Sequence, residues 1–127
     1  MQIVYFAYIF SLAIFAAILF QVAMAAGAPW GSLAMGGRYP GRFPTRIRIA
    51  AIVQALVLSL LAMVVLTKAR VILTDFYEES TIGIWLVVAI SVISLALNLA
   101  TPSKFERILW APIASLLVVS SLVIALE

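Results

Sequence analysis

Five carboxylates and eight Lys or Arg side chains carry all the formal charge of this 127-residue chain, which has no His and no Cys. Without imidazoles or thiols it can build no disulfide, no thiolate or imidazole metal site, no Cys nucleophile and no Ser-His-Asp triad. Catalysis would fall to Asp75, Glu78, Glu79 or Glu106, which lie in the polar connections with no nucleophile or metal motif around them. No enzyme, metal site or cofactor is expected. The informative polar groups are three amides set in apolar sequence: Gln21, Gln54 and Asn98. Polar side chains at membrane depth are costly, so each one asks for a reason. Gln21 lies six residues before Gly27, Gln54 six after Arg48, and Asn98 three before Thr101. That spacing puts them at similar depth, together with the Trp110 indole and the Ile108 carbonyl that Pro112 leaves without a donor. Two readings stay open. The amides are interhelical glue, worth about 0.6–2 kcal/mol each, or they line a small pocket for an ion or small polar molecule, roofed by the first connection. Either way they should point inward. No carboxylate, lysine or arginine lies mid-span, so a proton relay or charge-coupled pump lacks its usual parts.

The elements that must position these groups follow from composition. The chain is 66% hydrophobic and 10% charged, with a mean hydropathy of +1.24. Soluble domains average roughly 45–50% apolar and about 25% charged. A bilayer core needs roughly 20 apolar residues per helix, and four stretches qualify: 3–26, 47–66, 82–100 and 108–126. None alternates as a strand of a β-barrel would. The expectation is an all-α polytopic membrane protein, an antiparallel bundle of four transmembrane helices forming one domain over 1–127. The small-x-small run Ala23-Met24-Ala25 resembles a signal-peptidase site. No Lys or Arg precedes the apolar run and it exceeds a normal h-region, so the first span is expected to remain.

The connections are unequal. The first, 27–46, holds five of the six glycines and three of the five prolines. Its Ala28-Pro29-Trp30-Gly31 portion is apolar enough to lie in the interface or fold back on the bundle. Arg38, Arg42 and Arg46 have helical spacing, but Pro40 and Pro44 forbid that helix. With Arg48 they are assigned to anionic lipid headgroups, at about 1 kcal/mol each near the surface. Ser103 and Glu106 have capping-box spacing and start the fourth helix, in which Pro112 predicts a kink. Ala7/Ser11, Ala13/Ala17, Ala96/Ala100 and Ala111/Ser115 predict close helix packing. Trp30, Trp85 and Trp110 sit near span ends as interface belts, and Lys68 and Lys104 sit where they can snorkel.

Two segments carry a resemblance. Gly27-Ala28-Pro29-Trp30-Gly31 with the following Gly36-Gly37, and Asn98 through Trp110 with its Thr-Pro-Ser, Glu-Arg and Leu-Trp elements, resemble a group of small bacterial membrane proteins of unassigned function. The resemblance implies a bacterial four-span protein and brings no catalytic residue, ligand or reaction with it.

Orientation follows from charge. Connections one and three hold Arg38, Arg42, Arg46, Arg48, Lys104 and Arg107, while the opposite side holds Lys68 and Arg70 beside Asp75, Glu78 and Glu79. The positive-inside rule places connections one and three in the cytoplasm and both termini outside, in the cell (inner) membrane. The basic face is then a membrane feature, and nucleic acid is not an expected partner. The expected role is an accessory or structural subunit that packs with other membrane subunits. The alternative is a homo-oligomeric channel or carrier for an ion or small polar solute. Because the chain has no native thiol, single-cysteine variants test the orientation directly. Ser32→Cys should be shielded from membrane-impermeant thiol reagents in intact cells and Thr81→Cys labelled; the reverse pattern overturns the topology.

Overall fold

The structure is a computed structural model that describes residues 2–127. Four long helices, α1 (Gln2–Ala25), α2 (Thr45–Lys68), α3 (Tyr77–Ala100) and α4 (Lys104–Leu126), run up and down in chain order. Twenty-four residues rise about 36 Å, and all four helices are long and apolar enough to cross a membrane. This is the architecture of a small multi-pass membrane protein. The third and fourth helices begin earlier than their apolar runs, at Tyr77 and Lys104. Their polar first turns continue the helix, with Glu78, Glu79 and Glu106 near the positive ends of the helix dipoles.

Local chemistry sets the helix ends. At the end of α1 the Ala28 amide donates to the Ala23 carbonyl at 2.9 Å and the Gly27 amide to Met24 at 3.1 Å. That is a Schellman motif, and Gly27 supplies its left-handed residue with φ +105°. The same pair of bonds ends α2, from Val71 to Leu66 and Arg70 to Thr67, with Arg70 in the left-handed position at φ +63°. Pro44, at φ −65°, precedes α2 and excludes a helix through Arg38, Arg42 and Arg46. α4 passes through Pro112 without ending.

The bundle is packed unevenly. The half distant from the first connection holds the main core, in which Phe10, Ile14, Val65, Ile84, Val87 and Ile124 are almost fully buried. Toward the first connection a second, smaller cluster forms around Met24, Phe43 and Ala51. On α3 the last buried residue is Ser91, and none of 92–100 is buried. Ala7 and Ala13 pack inside as their spacing suggests, whereas Ala96 and Ala100 face outward.

The first connection folds back on the bundle. Ala28, Ala34 and Tyr39 pack on the smaller cluster, and the chain makes short 3-10 turns at Gly31–Leu33 and Met35–Gly37. Gly31 is the tightest point of this fold. Its amide donates to the Gly41 carbonyl at 2.9 Å, and a side-chain carbon there would overlap the Tyr39 carbonyl oxygen. Gly31→Ala should therefore destabilise the protein by about 1–3 kcal/mol, the usual cost of overpacking. A melting temperature unchanged in mild detergent would contradict this packing.

Candidate functional site

The unevenness leaves a cavity of about 500 Å³ in the half of the bundle next to the basic connections. Gln21 of α1, Gln54 of α2 and Asn98 of α3 all line it, with Glu106 and Trp110 of α4. The structure thus brings the three amides to one space.

Small residues make the space. Ala17, Ala34, Ala50, Ala51 and Ala114 line it, where larger side chains would close the gap between helices. Its floor is apolar, formed by Leu58, Ile90 and Leu117. The amides do not join the helices to one another. Asn98 Nδ2 donates within its own helix, to the Ser94 carbonyl at 2.8 Å and to Ser94 Oγ at 3.3 Å. Gln21 is half-buried, Gln54 is exposed at the cavity edge, and neither makes a side-chain hydrogen bond among the described residues.

The roof is the Leu33-Ala34-Met35 segment, latched to the start of α4. Glu106 is 8% exposed, and its Oε2 accepts from the Gly36 amide at 2.8 Å and from Thr101 Oγ1 at 3.1 Å. Ser103 Oγ donates to the Ser32 carbonyl at 2.7 Å, and Trp110 Nε1 to the Leu33 carbonyl at 2.8 Å. Phe20 meets the Trp110 ring edge-on, with centroids 4.9 Å apart. Met35, Gly36 and Gly37 are all left-handed, at φ +52°, +69° and +75°, which turns the Gly36 amide toward the carboxylate. A methionine in that region is costly, so the latch bonds must hold it there.

Several residues act differently from their sequence reading. The capping box is half formed. Ser103 Oγ accepts the Glu106 amide at 3.3 Å, but the carboxylate crosses to Gly36 instead of returning to the Ser103 amide. Trp110 is a roof anchor, while Trp30 and Trp85 stay about half exposed. Arg38, Arg42 and Arg46 are exposed, but Arg48 is half-buried. Its Nε donates to the Phe43 carbonyl at 3.0 Å and its guanidinium lies against Gly27, tying the end of α1 to the start of α2. Lys68 is buried rather than snorkelling, with its ammonium 5.4 Å from the Tyr77 ring centre. Arg70 stacks on the same ring at 3.8 Å. Among the described residues no cluster of potential metal ligands forms.

The fold and the cavity define a four-helix multi-pass membrane protein with an amide-lined space under a latched roof. Comparison of the chain with protein-family models, curated proteins and solved structures finds no match. Glu106 is the residue on which the roof turns. Glu106→Ala leaves the Gly36 amide without its acceptor, which should cost about 1–3 kcal/mol and speed hydrogen exchange across residues 32–37. Glu106→Gln retains an acceptor oxygen and should recover part of both. Unchanged exchange in the alanine variant would remove the latch.

Proposed function

We propose that this protein is a non-catalytic membrane protein of accessory type whose specific act is to hold a small amphipathic molecule in the amide-lined cavity. The supporting observation is the cavity's shape. It is roofed on one side and ends on the apolar floor of Leu58, Ile90 and Leu117, with the main core filling the bundle beyond. A space that stops halfway is a binding site in form, not a conduit. Its volume lies within the roughly 300–1,000 Å³ of small-molecule sites.

The accessory role rests on what the bundle does not bury. The outer faces of α2 and α3 present Leu56, Leu60, Ile82 and Leu86, a surface for lipid or for a neighbouring membrane subunit. Arg38, Arg42 and Arg46 fringe the roof end and suit anionic headgroups. The second reading, a homo-oligomeric channel or carrier, needs a path between copies, since the core blocks one through a single copy.

Native mass spectrometry from mild detergent tests the reading. The protein should carry a small molecule in about one-to-one ratio, and a cavity-filling Ala50→Phe variant should lose it while remaining folded. A symmetric homo-oligomer that conducts ions in planar bilayers, with no bound molecule, would favour the channel and overturn the proposal.

A further inference from the structure

We infer that the cavity takes a membrane amphiphile with a hydrogen-bond-donating, non-anionic head, such as a hydroxyl or ammonium group, and that it enters sideways from the bilayer between α2 and α3. This rests on the reading of the cavity as a binding site. The route comes from which cavity walls are covered. On α1 and α4 every lining residue is buried or half-buried, including Phe20, Gln21, Trp110 and Ala114. The exposed lining residues of the helices all belong to the facing edges of α2 and α3: Ala50, Gln54, Ile93 and Leu97. These four are the lips of an opening. It faces the bilayer, because α3 has no fully buried residue beyond Ser91 and its edge toward α2 is exposed at Ile93 and Leu97 in this half. The other approach, from the aqueous side, runs under the roof, where the Gly36–Glu106, Ser32–Ser103 and Leu33–Trp110 bonds hold the covering segment down.

The lining then selects the head. Among the described residues no lysine or arginine lines the cavity. Of the guanidiniums beside its rim, that of Arg48 is engaged with the Phe43 carbonyl and Gly27, and that of Arg107 donates to the Thr101 carbonyl. Phosphate, sulfate and carboxylate heads therefore lack a counter-charge, and the Glu106 carboxylate repels them. Acceptors dominate the roof end. Glu106 is a carboxylate with capacity beyond its two protein donors, and Asn98 has its amide nitrogen turned to Ser94, leaving its oxygen as the free group. A hydroxyl or ammonium meets that need. The Gln21 and Gln54 amides, free to donate or accept, serve polar atoms further along the molecule. The tail leaves over Ile93 and Leu97 into the hydrocarbon.

Trp110 gives a direct readout. With Trp30→Phe and Trp85→Phe it is the sole tryptophan, and its ring lines the cavity. The protein is reconstituted in phosphatidylcholine vesicles and titrated with three acyl probes brominated at one chain position: a monoacylglycerol, a long-chain alkylamine and a fatty acid. Quenching by the monoacylglycerol or the amine should saturate, and the stronger of the two identifies the head. The fatty acid should quench no more than brominated phosphatidylcholine does. Gln54→Leu should weaken half-saturation about five-fold, the worth of one hydrogen bond, and Ala50→Phe at the lip should abolish it. Equal or stronger saturable quenching by the fatty acid overturns the head-group assignment. Absence of saturable quenching by every probe, in a protein that still carries a bound polar molecule by native mass spectrometry, overturns sideways entry and leaves the cavity reading standing. Absence of both removes the two together.

Discussion

A single carboxylate holds the polar half of this molecule together. Glu106 lies almost fully buried at the first turn of α4 and takes donors from two directions: the backbone of a glycine seventy residues earlier and the hydroxyl of Thr101. A buried carboxylate is tolerable only where its oxygens are satisfied, so its position and the course of the first connection are set together. Remove the acceptor and the left-handed run Met35–Gly37 has no partner for the amide it presents. The Ser103 and Trp110 bonds extend the same seam along α4, so the roof is fastened at three points to one helix.

With the roof fixed, the shape of the interior is decided by side-chain size. Where α2 and α3 carry Leu58, Leu61, Val65, Ile84 and Val87, they close on each other. Where they carry Ala50, Ala51, Ser94 and Asn98, they cannot fill the space between them. In a membrane, no hydrophobic effect draws two helices together across such a gap, because lipid tails are as apolar as the side chains. The bundle therefore has one half held by packing and one half held by hydrogen bonds at its rim. The polar groups of the second half are left with hydrogen-bonding capacity to spare.

The Gly27–Gly37 stretch and the Asn98–Trp110 stretch meet in this seam. Gly31 admits the close backbone crossing with Gly41, Gly36 donates to Glu106, and Trp110 reaches back to Leu33. Residues far apart in the chain are thus bound to one structural task. At the opposite end a different device operates. Lys68 and Arg70 end α2 over the Tyr77 ring at the start of α3, a cation–π arrangement across the second turn.

The four helices were legible in the sequence, because crossing a bilayer demands long apolar runs whatever their neighbours do. The Schellman turn at Gly27, the break at Pro44 and the cap at Ser103 are equally local. So is the suspicion attached to Gln21, Gln54 and Asn98, since an amide among apolar residues is conspicuous before any fold is known. What those residues share was not local. That they line one space without bonding one another depends on how four helices tilt and on which alanines face inward. Arg48 and Lys68 stand at span ends where the sequence suggests lipid or interface contact, yet each finds its partners within the protein, while Trp110 lines the amide cavity and also anchors the roof. Glu106 has the spacing of a capping residue, and half of that box forms; its second role needs Gly36 to arrive from the other end of the chain. A backbone amide leaves no mark in a sequence, because every residue but proline has one. Only the tertiary fold decides which amide a buried carboxylate will meet.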